Sequence, residues 1–386
     1  MQNIILPILE KSINSWFENK FHNLILPLYS SIDLRYSGYK IAPVDANLFP
    51  AGFNNLNQSS KIIASHFMKI YFKKTKYTKA LIIPEKYTRN QPYIANVFAI
   101  ADILELAGLH TKIGMLYEEN SSPSCYESVI RDNHTLKTTS GFIPDVIILN
   151  FDMTSHIPNI LHNITQKILP DPLYGWHRRK KFKYFAIYQD LVYEFCQEFK
   201  IDPWLISIFT SECNNIDFSD DISLQEISHK VDDMLYIMQE KYKEHNVTTQ
   251  PYVFIKASNG TYGMGIITAR NSKEIFSLNK KKRNNMKKVK EGVKINSVII
   301  QEGIPSLDIF QDMTAEPLIY YIAKDPICYL YRCNNRKDKF SSLNAIDCEF
   351  YDVSSNVNDN ILLLWKVISK LSILALSLEI TSESSY

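Results

Sequence analysis

An alternation of apolar strands with a helix in residues 79–150 constrains the fold of this 386-residue chain most strongly. The pattern predicts strands at residues 80–83, 110–117 and 145–150 and a helix at residues 93–107. Strand–helix–strand units of this length form parallel sheets with right-handed crossovers. Ligands of such sheets gather at the carboxyl ends of the strands, which makes Asn150 and Asp152 candidate substrate-binding residues.

The rest of the chain is predicted to continue as a mixed α/β protein. Further helices are predicted at residues 4–20, 59–73, 181–200, 223–245 and 361–378, with a strand at 297–301 and a hairpin of strands at 317–322 and 327–332. We therefore expect a parallel α/β lobe over residues 1–170 that binds substrate. An α+β lobe over residues 171–386 would bind a nucleotide.

Residues 253–268, VFIKASNGTYGMGIIT, place Lys256 near the end of an apolar strand and three glycines in the following turn. Gly260, Gly263 and Gly265 would let backbone N–H groups approach an anion, and Lys256 would add a positive charge. The segment lacks the G-K-[ST] of a Walker loop, and the alternative is an ordinary surface turn. A hairpin over nucleotide phosphates predicts an ATP-using enzyme, with Ser258 and Asn259 in the same loop.

Residues 31–56 combine prolines, glycines, aromatic residues and many polar groups without a helical or strand period. A long loop of this composition is typical of a binding site, although its charges could simply pair with one another. Arginine and lysine suit carboxylates, and aspartate suits an ammonium group. The candidate substrate-binding residues are Asp33, Arg35, Lys40, Asp45, Asn47, Asn54 and Asn55.

Two basic segments are further candidates. Residues 171–183, DPLYGWHRRKKFK, carry five cations beside a tryptophan, so His177 and Arg178 are candidate substrate-binding residues. The alternative is a solvated start of a helix. Residues 280–290, KKKRNNMKKVK, resemble a nucleic-acid patch by charge alone, but they lie between predicted core elements. We therefore expect no nucleic-acid partner.

The C-terminal part of the predicted lobe supplies candidates for adenine and for a metal ion. Gln301, Glu302, Gly303 and Ile304 lie where an apolar strand ends, a position that can offer backbone groups to adenine. Carboxylate and amide oxygens suit Mg²⁺. The candidate metal ligands, expected at the ends of the last hairpin or just beyond it, are Glu316, Asn334 and Asn344.

Composition excludes several classes of protein. The chain is 45% hydrophobic and 22% charged, which is ordinary for a globular enzyme, and its net charge of +2 gives no general attraction for polyanions. Its six cysteines show no C-x-x-C pair and are predicted to be free thiols of a reducing compartment. The apolar stretch 361–378 contains Lys366 and Lys370, which favours a packed helix over a membrane span. We expect a cytoplasmic protein without a membrane partner.

Several long motifs in order resemble the proteobacterial (ferrooxidans-type) glutamate–cysteine ligases. They are DLRYSGYKIAPVDANLFPAGFNNLN, PLYGWHRRKKFKYF, FIKASNGTYGMGI, LNKKKRNNMKKVKEG and VIIQEG, and the resemblance runs from Ser31 to Asn344. It implies an ATP-grasp enzyme related in architecture to glutathione synthetase, with ATP and Mg²⁺ as cofactors. Lys256, Arg35 and Arg332 are then the expected catalytic residues, and 301–304 the adenine hinge.

The activity implied by this resemblance is ATP-driven formation of γ-glutamylcysteine from glutamate and cysteine through an acyl phosphate. Three alternatives remain from the sequence. They are an ATP-grasp ligase with another acid or amine, an inactive relative that has lost its metal ligands, and a polyanion-binding protein that is not an enzyme. The sequence leaves the oligomeric state open and allows a homo-oligomer.

Overall fold

The computed structural model describes residues 6–86, 90–116, 125–259, 266–278, 294–345, 347–355 and 357–383. Within these residues the helices are α1 (Leu6–Phe21), α2 (Gln58–Phe72), α3 (Gln91–Leu106), α4 (Lys181–Phe199), α5 (Asp221–Glu244), α6 (Lys273–Phe276) and α7 (Asp359–Glu383). The first eight strands are β1 (Tyr29–Tyr36), β2 (Ile41–Asn47), β3 (Lys79–Pro84), β4 (His110–Met115), β5 (Glu127–Asp132), β6 (Thr135–Thr138), β7 (Val146–Asn150) and β8 (Lys167–Leu169). The others are β9 (Thr210–Asn214), β10 (Val253–Ala257), β11 (Ile267–Ala269), β12 (Ser297–Glu302), β13 (Ile309–Phe310), β14 (Met313–Ile322), β15 (Asp325–Asn334) and β16 (Glu349–Asp352).

The predicted parallel sheet is confirmed. Its strand order is β6-β5-β4-β3-β7-β8, and β3 pairs in parallel with both β4 and β7. Every residue of β7 is buried, as expected for a strand covered on both faces, and this explains its continuous apolar sequence. β5, β6 and β8 were not predicted, because they are short or carry charged residues.

A second, antiparallel sheet has the order β16-β15-β14-β1-β2. The interpretation of residues 31–56 as a loop was wrong, because most of the segment forms the hairpin of β1 and β2. Residues 31–36 of β1, SIDLRY, do alternate polar and apolar side chains, and seven of the eight residues of the strand are buried, the polar ones included. The alternation was overlooked because the segment is also rich in prolines, glycines and aromatic residues. Gly38 turns the hairpin with φ +84°, a conformation that favours glycine.

The third sheet, β11-β10-β12-β9, is antiparallel and contains the lysine-bearing strand of the predicted hairpin. β10 and β11 pair in antiparallel fashion, as the sequence predicted. Buried residues of α5 pack on this sheet in one hydrophobic cluster. The three glycines predicted to bind phosphate, and the basic segment 280–290, lie outside the described residues.

The C-terminal helix α7 is part of the largest hydrophobic cluster, with Trp365, Leu371 and Leu374 almost fully buried. By length and composition alone α7 could cross a membrane, but 67% of its most apolar window is buried inside the protein. The prediction of a packed helix is therefore confirmed. It packs against α4 and α1.

The antiparallel sheet of β1, β2 and β14–β16 joins the two ends of the chain. β1 pairs with β14 over residues 29–33 and 318–322. The predicted division of the chain at residue 170 stays a prediction, and this sheet draws strands from both sides of it. The mixed α/β fold itself is confirmed.

Candidate active site

A cavity of about 1030 Å³ is lined by residues of the two antiparallel sheets and by the segments that follow β3 and β7 of the parallel sheet. Its walls come from the β1–β2 hairpin, the carboxyl ends of β3 and β7, strand β10, and strands β14 to β16. Its volume lies near the top of the roughly 300–1,000 Å³ range of small-molecule sites. The cavity therefore has room for a nucleotide and a small acid or amine together.

Many of the predicted site residues meet in this cavity although they are far apart in sequence. Those that line it are Asp33, Arg35, Asp45, Asn47, Asn54, Asn55, Asp152, Lys256, Glu316, Arg332 and Asn344. The sequence therefore identified most of the polar wall before the fold was known.

The register of the β1–β2 hairpin places two carboxylates side by side. Asp33 lies directly opposite Asp45, and Ser31 lies opposite Asn47. Side chains at directly opposite positions share a face of the sheet, and so do positions two residues apart. Asp33, Asp45 and Asn47 thus face the cavity together, and Asn47 Nδ2 donates to Asp33 Oδ2 at 3.5 Å.

A buried network of two arginines and two acids forms one wall. Arg332 Nη1 lies 2.6 Å from Asp33 Oδ1 and 2.8 Å from Glu316 Oε1, while Arg35 Nε donates to Glu316 Oε2 at 3.0 Å. Glu316 and Arg332 were expected near strand ends, but they are cross-strand partners within β14 and β15. The predicted strands were too short because their first or last residues are polar.

The two arginines of this network differ in how completely they are paired. Arg35 also donates from Nη1 to the Ile304 carbonyl at 3.2 Å and from Nη2 to the Ser341 carbonyl. All three guanidinium nitrogens of Arg35 therefore donate to protein groups, so Arg35 stabilises this wall of the cavity. Arg332 Nε, by contrast, is buried without an acceptor, so Arg332 keeps one hydrogen-bond donor that no protein group uses.

The carboxylates of the hairpin have shifted pKa values. Burial raises the pKa of Asp33 to about 6, against the opposing charge of Arg332, and the nearby Asp45 carboxylate adds to the rise. Burial also acts on Asp45, but the ammonium groups of Lys181 and Lys256 outweigh it and lower the pKa of Asp45. An additional cation near Asp33 would favour its ionised form.

Lys256 reaches the cavity from β10, as predicted. Its Nζ donates to Gln301 Oε1 at 2.7 Å and lies 3.3 Å from the Val44 carbonyl oxygen. Burial, together with the neighbouring Lys181 ammonium group, lowers the pKa of Lys256 to about 7. A bound anion would supply the negative charge that keeps this ammonium group protonated.

Lys181 is a functional candidate that sequence reasoning did not single out. It is the first residue of α4, and its Nζ donates to Asp45 Oδ1 while lying 5.2 Å from the Trp176 ring centre. Of the five cations in residues 178–183, Lys181 is the one in the described lining of the cavity. The cluster of charges indicated that this segment is a candidate for binding, but only the fold shows that Lys181 is the residue that lines the cavity.

His177 and Arg178, the predicted ligands from this segment, lie outside the cavity lining. His177 Nδ1 lies 3.2 Å from the Met153 carbonyl oxygen. Arg178 Nη2 pairs with Glu383 of α7 at 2.9 Å. Residues 177–180 lie between the cavity residues Trp176 and Lys181, and none of these four lines the described cavity.

Asn150, a predicted substrate ligand, also lies outside the described cavity lining and supports the wall of the cavity. Its Nδ2 donates to the Pro50 carbonyl at 3.0 Å, and its Oδ1 accepts from Asn96 Nδ2 at 2.8 Å. Asn96 Oδ1 in turn accepts from the backbone N–H groups of Gly52 and Phe53. The two amides hold the turn that presents Asn54 and Asn55 to the cavity.

Lys40 does not face the cavity. Its Nζ is fully buried and donates to both carboxylate oxygens of Glu302, at 2.8 and 2.9 Å. The ring of Trp204 lies 4.7 Å from the same nitrogen. The predicted substrate ligand Lys40 and the predicted adenine contact Glu302 are therefore each other's partners.

The predicted adenine hinge contributes no residue to the described lining of the cavity. The Glu302 and Gly303 N–H groups donate to the carbonyls of Phe209 and Tyr252, at 2.9 and 2.8 Å, and the Ile304 carbonyl accepts from Arg35. These groups are already paired and do not form a free edge for adenine. Gln301 and Ile304 each contact a cavity residue, Gln301 through Lys256 and Ile304 through Arg35.

Ser258 and Asn259, predicted to contact ATP, likewise bind protein groups. Ser258 Oγ donates to Glu212 Oε1 at 3.0 Å, and Asn259 Nδ2 donates to the Trp176 carbonyl at 2.9 Å. They anchor the end of β10 where the glycine segment begins. Gly260, Gly263 and Gly265 themselves lie outside the described residues.

The predicted metal ligands fit a cation less well than the hairpin carboxylates do. Both oxygens of Glu316 accept from arginines, and Asn334 uses Nδ2 for Asp347 and Oδ1 for the Arg336 N–H. Asn344 lines the cavity and is exposed. Asp45, by contrast, accepts from Lys181 through Oδ1 and lies opposite Asp33, so two carboxylates stand side by side at the cavity, as oxygen ligands of a hard cation would.

Comparison with known proteins places the chain in a family. The glutamate-cysteine ligase (GshA) family model matches residues 5–380. A crystal structure of a proposed gamma-glutamylcysteine synthetase from Methylobacillus flagellatus KT is 33% identical, with a TM-score of 0.90, and the match covers 98% of this chain and 95% of that one.

More distant structures also match. A glutathione synthetase-like effector from Globodera pallida is 9% identical with a TM-score of 0.44, covering 90% of this chain and 81% of its own. D-alanyl-alanine synthetase A from Vibrio cholerae is 12% identical with a TM-score of 0.37, covering 77% and 81%. Among curated proteins no sequence matches this chain significantly. The family model and the Methylobacillus structure agree over nearly the whole length, and the chain belongs to the glutamate–cysteine ligase family of enzymes.

Proposed function

We propose that the cavity joins the γ-carboxylate of L-glutamate to the amine of L-cysteine at the expense of ATP, giving γ-glutamylcysteine for glutathione synthesis. The observation that carries this proposal is the charge pattern of the cavity. Three cations (Lys181, Lys256 and Arg332) stand beside two facing carboxylates (Asp33 and Asp45) in a chain that the family model matches over residues 5–380. We also infer the proteobacterial type from the motifs.

The cations suit the phosphoryl groups and the carboxylate that must meet there. In the reaction, an oxygen of the γ-carboxylate attacks the γ-phosphorus of ATP, which yields an acyl phosphate and releases ADP. Both partners are anionic, so Lys256 and Lys181 would offset the charge that brings them together. The spare Nε of Arg332 would bind a substrate carboxylate.

The second step needs a positioned amine and no covalent help from the protein. The nitrogen of cysteine attacks the γ-carbonyl carbon, the bond to the phosphate oxygen breaks, and inorganic phosphate leaves. Holding the two reactants in one cavity supplies most of the advantage. Asn54, Asn55 and Asp152 lie on the wall formed by the β2–α2 connection and the end of β7, where they would bind polar groups of the amino acids.

Asp33, Asp45 and Asn47 would hold Mg²⁺ in this account. Mg²⁺ would neutralise phosphate charge, and it prefers a few carboxylate or amide oxygens together with phosphates. The cross-strand pairing of the two acids at the cavity supports this choice, because both oxygens of Glu316 and both polar atoms of the Asn334 amide are already bonded to protein groups. Mn²⁺ binding followed by electron paramagnetic resonance in the presence of an ATP analogue should weaken in Asp45→Asn and persist in Asn334→Ala.

The proposed activity is tested by product analysis. The purified chain is incubated with ATP, Mg²⁺, glutamate and cysteine, and the product is identified by mass. A panel of other acids and amines, scored by phosphate release, tests for a ligase with different substrates. Release of phosphate with another pair but none with glutamate and cysteine would contradict the proposed substrates.

We further infer that the protein acts in the cytoplasm on small molecules, without nucleic acid or membrane. All six cysteines are free thiols, which fits a reducing compartment, and ATP is a cytoplasmic substrate. The polyanion-binding alternative rested on residues 280–290 and on the basic segment 177–183. Most cations of the latter are paired with acidic residues of the same chain.

A further inference from the structure

The C-terminal helix α7 contributes no residue to the described lining of the cavity, yet its last turns hold the segment that does. Arg179 donates to the Glu379 carboxylate through Nε, at 3.0 and 3.2 Å, and through Nη2, at 3.0 Å. Both side chains are almost fully buried, with 3% and 4% exposed. A buried, bidentate ion pair of this kind fixes the orientation of the two side chains relative to each other.

The same guanidinium group also holds the β1–β2 hairpin. Arg179 Nη1 donates at 2.9 Å to the carbonyl of Ala46, the residue between Asp45 and Asn47. Its Cζ lies 4.9 Å from the ring centre of Trp176, a cavity residue. One side chain thus connects α7, strand β2 and the cavity wall.

The backbone around Arg179 connects to the other two sheets. The Trp176 N–H donates to the Asp152 carbonyl at the end of β7, at 2.8 Å. The Lys181 N–H donates to the Ser258 carbonyl at the end of β10, at 2.9 Å. Residues 176–181 therefore touch all three sheets at the points where they meet the cavity.

We propose that Arg179 and Glu379 form a buried clamp that positions Lys181, Trp176 and Asp45, so that the C-terminal helix sets the geometry of the active site. Arg179 is a positioning residue, since it acts through groups that line the cavity and does not line it itself. The proposal rests on the proposed function in taking this cavity as the site of catalysis. Loosening the clamp would shift Lys181 and Asp45 relative to each other.

Two matched substitutions on α7 distinguish the effect of the buried Arg179–Glu379 pair from the effect of a partly exposed ion pair. Glu379→Gln keeps the shape of the side chain and removes its charge. Glu383→Gln makes the same change one turn later, where the carboxylate is partly exposed and pairs with Arg178 and Lys183. Arg179→Lys keeps the charge but loses the fork, and it serves as the second variant should Glu379→Gln fold poorly.

We expect kcat/KM to fall by about 10- to 100-fold in Glu379→Gln and Arg179→Lys, as small misplacements of reacting groups do. Glu383→Gln should stay at the wild-type level. Amide hydrogen exchange of the full-length proteins should quicken in residues 174–183 and 41–47 and remain unchanged elsewhere. Wild-type activity for Glu379→Gln, or exchange that rises equally in all three sheets, would overturn the clamp.

The exchange measurement does not depend on the identity of the substrates. If the wild-type protein makes no γ-glutamylcysteine, the proposed function fails. The clamp is then judged by the location of the exchange changes alone. Local quickening supports the clamp, and no local quickening or a uniform rise refutes it.

Discussion

Among the single residues of the cavity, Lys256 has a charge that depends strongly on what the cavity contains. Its ammonium group has two neutral oxygen partners, on Gln301 and Val44, and Lys181 is a like-charged neighbour. Burial and this repulsion lower the pKa of Lys256 to about 7. An anionic ligand is therefore the missing partner of this side chain, which explains why a lysine is tolerated at this position.

Replacing Lys256 with alanine should reduce kcat/KM for dipeptide formation roughly a hundredfold or more, because one charge contact to the transferring phosphoryl group is lost. The fold should be retained, since the ammonium group is only partly buried. Steady-state kinetics with circular dichroism checks both points. Lys243→Ala, an exposed lysine of α5, is the control. Near-normal activity of Lys256→Ala would contradict the assignment.

The affinity for ATP should depend on pH through Lys256. In the free protein this group loses its proton as the pH rises through about 7, whereas bound phosphate favours the charged form. Binding then takes up a proton, so affinity for a non-hydrolysable ATP analogue should be highest below pH 7 and fall above it.

Lys256→Arg is the matched variant for this pH dependence. Arginine stays charged throughout the range, so its affinity should vary less with pH than that of the wild type. Calorimetry at several pH values measures both proteins, and the titration of the ligand is common to them. Parallel loss of affinity in the two proteins would show that Lys256 is not the titrating group.

Among the elements, the β1–β2 hairpin shows where sequence reasoning reached its limit. Its polar residues were recognised as a site, and Asp33, Asp45 and Asn47 do face the cavity. Its strands were not recognised, although SIDLRY in β1 alternates polar and apolar residues, because the prolines, glycines and polar residues of the same segment are typical of a loop. For Lys40, the sequence could not show that its side chain pairs with Glu302 on β12.

The regular elements were predictable where their apolar period is long, as in α3, α4, α5 and α7. The sequence could not predict which cations of the basic segment 178–183 are paired and which line the cavity. Their pairing depends on acids that are distant in sequence, such as Asp45, Glu379 and Glu383. For Arg35 the sequence predicted its place in the cavity. Only the structure shows that Ile304 and Ser341 already occupy its donors.

The buried pair of Lys40 and Glu302 joins the β1–β2 turn to strand β12, and its loss should destabilise the protein. Lys40→Met leaves the Glu302 carboxylate buried and unpaired, which costs about 3–5 kcal/mol of unfolding free energy. Urea denaturation measures this change. The exposed pair of Lys294 and Asp217 supplies the control, since Lys294→Met should change stability by less than about 1 kcal/mol.

A second substitution tests the cause of that loss. Adding Glu302→Gln to Lys40→Met removes the unpaired charge and should restore part of the stability. If Lys40→Met is as stable as the wild type, or if the double variant is no more stable than the single one, the pair does not carry the connection between these strands.

At the scale of the whole molecule, the candidate active site lies where the three sheets meet. The parallel sheet offers the carboxyl ends of β3 and β7, the sheet of β10 offers Lys256, and the sheet of β1 and β14 offers the acid–arginine wall. No single sheet carries the whole set of charges in the described cavity. Catalysis in this account consists of positioning the substrates and neutralising their charges. It therefore requires that the three sheets keep their positions relative to one another.

The fate of the glutamate oxygens tests this account most directly. Glutamate labelled with ¹⁸O in its γ-carboxylate is incubated with the protein, ATP, Mg²⁺ and cysteine, and the phosphate and the dipeptide are analysed by mass. Attack of the carboxylate on the γ-phosphorus predicts one ¹⁸O atom in each phosphate released with γ-glutamylcysteine. Phosphate that carries no label, or the absence of dipeptide, would contradict ligation through an acyl phosphate in this cavity.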